Sequence, residues 1–119
     1  MSGEVVGRLS DLAEGRLTRA KLGRAAILLT LADGQPRAVA ARCPHQGAEL
    51  ASGKVVDHVD SDGGCLVADP TRPILRCPWH GFEFDLATGD PVVPSPEHRR
   101  MRLRTFAVTI RGDDVVVEP

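Results

Sequence analysis

Aromatic residues are scarce in this chain of 119 residues, which contains no tyrosine, one tryptophan and three phenylalanines. Neither charge is in excess, and a formal net charge of −1 leaves no basic footprint for nucleic acid. No apolar run approaches the roughly 20 residues that a membrane span needs. Residues 1–9 (MSGEVVGRL) also lack the charged-then-apolar plan of a secretory signal. The sequence therefore predicts a protein that binds neither nucleic acid nor a membrane.

Residue groupings typical of enzymes are missing as well. No Ser-His-Asp grouping, Gly-rich phosphate loop or pair of catalytic carboxylates stands out, and His98 lies in a charged stretch (EHRR) typical of a surface. The length predicts one domain, residues 1–119, with a modest core and no room for a catalytic domain beside it. We therefore expect no catalytic residue and a protein that is not itself an enzyme.

Two of the three cysteines stand in similar short loops, CPHQG at 43–47 and CPWHG at 77–81. Each loop offers one thiolate and one imidazole, next to Pro and Gly residues that bend a backbone tightly. Two thiolates and two imidazoles can hold either zinc or a [2Fe–2S] cluster with two cysteines on one iron and two histidines on the other. The order C-x-H and then C-x-x-H favours the cluster, because a structural zinc site more often shows two cysteines and then two histidines. A zinc-stabilised interaction module is the alternative.

These loops resemble those of the Rieske family, and the similarity continues through AELASG at 48–53 and FEFDLATGD at 82–90. It covers about residues 37–94. The resemblance implies an all-β fold, a small antiparallel sandwich or barrel with a cluster-binding subdomain made of two loops. It also implies one [2Fe–2S] cluster per chain, with four ligands: Cys43, His45, Cys77 and His80. In the family the histidines lie at the outer end of the cluster and the cysteines form its buried anchor.

High-potential members of that family carry a further cysteine in each loop, and these two cysteines form a disulfide. Gly47 and Trp79 occupy the matching positions here. The same relatives donate Ser and Tyr hydroxyls to the cluster sulfurs, where this chain has Phe82 and Phe84. Fewer donors stabilise the reduced cluster less, so we expect a potential near the low end of the Rieske range, about −150 mV.

The resemblance implies a soluble carrier that passes single electrons from a flavin-dependent reductase to a terminal oxygenase. Two other redox functions fit the same residues. One is the small subunit of an NADH-dependent nitrite reductase, with the large subunit as its partner, and the other is a separately encoded Rieske component of an oxygenase. The third cysteine, Cys65, is expected to stay unpaired, which fits a reducing cytoplasm.

An insertion of about residues 57–73 (DHVDSDGGCLVADPTRP) separates the two loops. Thirty-one residues stand between His45 and Cys77, roughly twice the spacing of ordinary Rieske ferredoxins. Its Gly and Pro residues predict a loop, with a small hairpin around Asp62. Four side chains there could in principle bind a second metal, although a solvated acidic loop is the commoner meaning: His58, Asp60, Asp62 and Cys65. A long loop beside the cluster is also a candidate for partner recognition.

Strand patterns account for the rest of the chain. The apolar run at 25–31 and the Asp33-Gly34 turn predict a hairpin with 37–41, and Phe106, Val108 and Ile110 alternate before a second hairpin to 115–117. Strands are also predicted at three other places along the chain: 5–9, 17–22 and 55–59. Trp79 is the aromatic residue that we expect to be partly exposed and to meet a partner.

Overall fold

The computed structural model describes residues 3–44, 47–62, 65–78, 82–92 and 102–118, and within 57–71 it describes the backbone path only. Regular structure in these ranges is β, apart from two single-turn 3-10 helices at Leu9–Asp11 and Leu50–Ser52. No helix in the described ranges is long and apolar enough to cross a membrane. The strands are β1 (Glu4–Arg8), β2 (Thr18–Leu22), β3 (Ala25–Ala32), β4 (Gln35–Ala40), β5 (Lys54–Asp62), β6 (Cys65–Arg76), β7 (Glu83–Asp85), β8 (Thr105–Arg111) and β9 (Asp114–Glu118).

Six strands form one antiparallel sheet in the order β1-β9-β8-β4-β3-β2. Strands β1 and β2 stand at the two ends of this order and lie in contact, so the sheet is nearly closed into a barrel. Strands β5, β6 and β7 form a second antiparallel sheet. The predicted all-β fold is confirmed, and the cluster-binding part contains a three-stranded sheet in addition to its two loops.

The hairpin predicted at Asp33-Gly34 is present between β3 and β4. Both turn residues have positive φ, 53° and 73°, as a tight turn that matches the right-handed twist of its strands requires. Aspartate tolerates this conformation and glycine adopts it at no steric cost. The carboxylate of Glu14 accepts hydrogen bonds from the backbone N–H groups of both turn residues, at 3.2 Å from Gly34.

The insertion is not the loop that its composition predicted. Its backbone forms a long hairpin in which β5 pairs with β6 from Lys54 opposite Arg76 to Asp62 opposite Cys65. The register shifts after Asp57, which opposes Pro73, so that residues 70–72 bulge out of the ladder. Prolines are tolerated at such a bulge, where a missing N–H breaks no ladder bond. The prediction of a hairpin around Asp62 was right and the prediction of a loop was wrong.

Two apolar cores lie on opposite faces of β3, which explains why seven of its eight residues are apolar. Ile27 and Leu29 face the core inside the barrel, which they share with Val115 and Val117. Leu28 points the other way, because successive strand residues alternate between faces. It enters a second core between the barrel and the small sheet. We call this second group of residues the inter-sheet core: Leu28, Ala32, Val39, Cys43, Ala48, Leu50, Leu75, Cys77, Phe84, Leu86 and Leu103.

Candidate metal centre

The two cysteine loops are closed by the same hydrogen bond. The backbone N–H of Cys43 donates to the carbonyl oxygen of Ala48 at 2.9 Å, and that of Cys77 donates to the carbonyl oxygen of Phe82 at 2.6 Å. In both loops the acceptor stands five residues after the cysteine. The loops therefore have equal length and the same closure, which the sequence comparison of CPHQG with CPWHG had indicated.

The equivalence extends one residue further on each side, a feature that the sequence analysis missed. Arg42 pairs with Glu49 in an isolated antiparallel bridge, and Arg76 pairs with Glu83 at the end of the β6–β7 ladder. Each loop is thus the tip of a hairpin with an arginine and a glutamate at its base. The signal was readable in the sequence, because RCPHQGAE at 42–49 and RCPWHGFE at 76–83 match at both ends.

The charged pairs at the two bases are nevertheless connected differently. Arg76 donates through Nε and Nη2 to Oε2 of Glu83, at 3.0 and 2.8 Å. Glu49 instead forms its ion pair with Arg19 of β2, and Nη1 of Arg42 donates to the carbonyl oxygen of Gly47 at 3.0 Å. The first loop is therefore tied to the barrel and the second loop is tied to its own hairpin.

Both cysteines are buried, each with 2% of its surface exposed, and both belong to the inter-sheet core. Pro44 and Pro78 follow them directly and are exposed. Each loop therefore passes from the core to the surface within one residue. Two thiols held in one apolar core, at the start of matched loops, fit the thiolate half of a Cys₂His₂ iron–sulfur site.

Gly53 allows the two loops to approach each other. It follows the 3-10 helix after the first loop, and a Cβ atom on it would stand 2.2 Å from the carbonyl oxygen of Arg76. Its φ of −80° is ordinary, so the requirement for glycine is one of space alone. The glycine ends the AELASG segment, and its close contact with the backbone before Cys77 could not be read from the sequence.

Phenylalanines fill the space beside the cysteines. Phe84 is fully buried in the inter-sheet core, and the partly buried Phe82 packs against that core. Phe106 packs against the core inside the barrel instead. Phe84 therefore belongs to the core of the cluster-binding part.

Several predicted residues lie outside what the structure describes. His45, His80, Trp79 and His98 fall in undescribed positions, so their assignment as ligands or as surface residues stays a prediction. For the four insertion residues with metal-binding side chains, only the backbone is described. Asp62 opposes Cys65 at the end of the hairpin, and His58 opposes Asp69.

Comparison with known proteins identifies a family whose match includes both cysteine loops. Positions 3–107 match the family model of the Rieske [2Fe-2S] domain. A Mus musculus protein named apoptosis-inducing factor 3 is 31% identical over 111 residues, which are 90% of this chain and 16% of the mouse protein. The chain thus spans only a small part of that relative's length.

Two solved structures have the same fold over nearly their whole length. One, from a complex of reduced oxygenase and oxidized ferredoxin in carbazole 1,9a-dioxygenase, has a TM-score of 0.70 at 26% identity and aligns over 98% of this chain and 92% of its own. The other, from Mycobacterium tuberculosis, is assigned as an NADH-dependent nitrite reductase small subunit. It has a TM-score of 0.73 at 19% identity, over 98% of this chain and 94% of its own.

Proposed function

This chain belongs to the Rieske [2Fe-2S] domain family, and from that membership we propose that it carries single electrons from a flavin-dependent reductase to a terminal oxygenase. The cofactor of the domain is a [2Fe–2S] cluster. The observation that carries the proposal is the pair of matched loops, each with a buried cysteine in the inter-sheet core. We assign no catalytic residue, and we treat residues 1–119 as one domain because the inter-sheet core is shared by both sheets.

We propose Cys43, His45, Cys77 and His80 as the ligands of one cluster per chain. The bound cluster supplies a centre that accepts and releases one electron. The two buried cysteines would provide the inner anchor, and the apolar side chains around them would exclude water from it. The backbone N–H groups of Cys43 and Cys77 close the two loops.

An oxygenase system is favoured because one similar structure comes from a complex of oxygenase and ferredoxin, at 26% identity over nearly the whole of both chains. The flavin-dependent reductase is proposed as the electron donor that such a carrier needs. The likeness to a nitrite reductase small subunit concerns the fold alone, at 19% identity. That subunit, and a separately encoded oxygenase component, are the competing functions. We place the carrier in the cytoplasm. Two of the three cysteines are proposed as ligands, so Cys65 has no cysteine left to pair with, and an unpaired thiol fits a reducing compartment.

The test begins with protein purified without oxygen. It should be brown, should contain two irons and two acid-labile sulfides per chain, and should be reduced and reoxidised by one electron. Stoichiometric zinc without labile sulfide would contradict the proposal and support the zinc-stabilised module. Proteins captured from cell extract on the reduced carrier then separate the functions: a flavoprotein with an oxygenase supports the leading one, and a sirohaem subunit supports the nitrite reductase alternative.

A further inference from the structure

The described surface around the two loops is basic, although the chain as a whole carries a net charge of −1. Five exposed basic residues surround the loops, and we call them the basic collar: Arg19, Lys21, Arg42, Lys54 and Arg76. Two acidic residues stand among them, Glu49 and Glu83, and each is held in an ion pair with a member of the collar. Among the side chains that the structure describes at the bases of the loops, these five cations and two carboxylates leave a charge of +3.

The fold brings the members of the collar together from separate parts of the chain. Arg42 and Arg76 immediately precede the two buried cysteines, and Lys54 opposes Arg76 across the β5–β6 ladder. Arg19 reaches the first loop through its ion pair with Glu49. Lys21 lies with Arg19 and Glu49 around a cavity of about 200 Å³ whose floor includes Ile27 and Ala41.

Lys21 of the collar lies at the end of the barrel from which the first loop leaves. Ala41, which precedes the first loop, donates its N–H to the carbonyl oxygen of Ala26, and Ala26 opposes Lys21 across the β2–β3 ladder. Arg16 lies just before the start of β2, at the opposite end of that strand from Lys21. Its neighbour Gly15 donates its N–H to the carbonyl oxygen of Leu31. Arg24 is a further exposed cation near this end, and the carboxylate of Glu4 accepts a hydrogen bond from the N–H of the neighbouring Gly23.

We propose that the basic collar is the docking surface for an acidic face of the protein that exchanges electrons with the cluster. This inference rests on the proposed function and adds the charge of the partner. Complementary charges accelerate encounter and orient two proteins, and their effect falls with ionic strength because the Debye length at physiological salt is only about 8 Å. A partner seated on the collar would cover the exposed prolines of both loops.

Small inorganic oxidants test whether the electrostatic field around the two loops is positive, and they do so without the natural partner. Reduced protein is mixed with ferricyanide, a trivalent anion that takes one electron per chain, or with tris(phenanthroline)cobalt(III), a trivalent cation that also takes one. We expect the ferricyanide rate to fall as salt rises, and the rate with the cobalt complex to rise. The opposite pair of salt dependences, or no dependence for either oxidant, would overturn the proposal.

Charge-reversal variants then show which residues create this electrostatic field. Lys21→Glu and Lys54→Glu should each lower the ferricyanide rate at low salt by about threefold to tenfold. Arg16→Glu is the matched control, since it makes the same change in net charge at the other end of β2, and it should leave the rate nearly unchanged. Equal effects of all three variants would mean that only the net charge of the protein matters, and would overturn the proposal that the basic collar is the docking surface.

Binding of an acidic polymer gives a second readout. A fluorescent polyglutamate peptide should bind the wild-type protein more tightly than Lys21→Glu or Lys54→Glu, and should slow oxidation by ferricyanide. Iron, labile sulfide and reduction by dithionite are measured on every variant. A reducible cluster with no preference for anionic probes defeats the inference and leaves the electron carrier standing, whereas a protein with no reducible cluster defeats both.

Discussion

Gly53 and Arg76 are in such close contact that a Cβ atom on the glycine would stand 2.2 Å from the arginine's carbonyl oxygen. The contact joins the end of the first-loop segment to the residue before Cys77. It also starts the ladder of the small sheet, since Lys54 follows the glycine and opposes Arg76. The relative position of the two cysteine loops therefore depends on a residue without a side chain.

Gly53→Ala should loosen the metal centre. The added methyl group meets backbone rather than a flexible side chain, so we expect a loss of about 1–3 kcal/mol in unfolding free energy and a lower iron content. Gly7→Ala is the control, because a Cβ there meets only a side-chain methyl of Leu29 at an ordinary 3.4 Å. Urea unfolding and iron analysis measure both effects. Full iron content and unchanged stability in Gly53→Ala would contradict this account of how the loops meet.

Phe84→Tyr should raise the midpoint potential of the cluster. The ring is fully buried in the same core as both cysteines, so the neighbours of the new hydroxyl are apolar side chains and the cluster. We therefore expect the cluster sulfurs to accept its hydrogen bond. A hydroxyl left unsatisfied there would cost about 1–3 kcal/mol. Voltammetry and urea unfolding together decide the outcome. A raised potential with stability retained indicates a bond to sulfur, and a lowered stability with an unchanged potential indicates that the hydroxyl reaches none.

Phe82→Ser should raise the potential as well, by the same addition of a donor. Phe82 is only partly buried where it packs against the inter-sheet core, and its backbone carbonyl keeps the loop closed whatever its side chain. We therefore expect the cluster to remain bound. Voltammetry on the serine variant is compared with Phe82→Ala, which removes the ring without adding a donor. Equal potentials in the two variants would show that the ring, and not the hydroxyl, sets any change.

Asp113 predicts a pH-dependent contribution to stability. The hydroxyl and the N–H of Ser10 donate to its carboxylate at 2.7 and 2.9 Å, and these bonds, the side-chain one first, hold its pKa below the ordinary value of 3.8. Because the pKa is lower in the folded state, the stabilisation is complete well above pH 3.8 and is lost as the pH falls through the folded-state pKa.

Asp113→Asn should therefore unfold at lower urea than the wild type at pH 7, and the difference should shrink as the pH falls below about 3.8. Asp114→Asn removes a neighbouring exposed carboxylate and serves as the control for net charge. Urea midpoints across pH 3–7 provide the measurement. A difference between wild type and Asp113→Asn that stays constant, or grows, toward acid would contradict the assignment.

Replacement of residues 58–72 by a two-residue turn should leave the cluster in place. The remaining strands keep the ladder from Lys54 opposite Arg76 to Asp57 opposite Pro73, and all four proposed ligands lie outside the deletion. Cys65→Ser should keep the cluster for the same reason. Iron content and absorbance measure cluster retention in both variants, and loss of iron in Cys65→Ser would overturn the ligand assignment.

The shortened protein also tests partner recognition. Reduced electron delivery to the captured acceptor, with ferricyanide oxidation unchanged, would place the hairpin in partner recognition.

Local sequence patterns predicted much of this fold. Alternation of Phe106, Val108 and Ile110 identified the strand observed at 105–111, and Asp33-Gly34 identified a hairpin, because turn chemistry and side-chain alternation act between residues close in the chain. The insertion was misjudged because its prolines and glycines argue for a loop. Only the register of β5 against β6, with a bulge of three residues at 70–72, shows how the strands tolerate the prolines.

The paired Cys/His loops were evident in the sequence by itself, since ligand identity and spacing are local properties. The tertiary structure decided what surrounds them. It placed Cys43 and Cys77 in one core and brought cations from β2, β5 and β6 to the bases of the two loops. These arrangements join residues far apart in the chain. They arise from long-range strand pairing and close backbone contact, which the order of residues alone does not reveal.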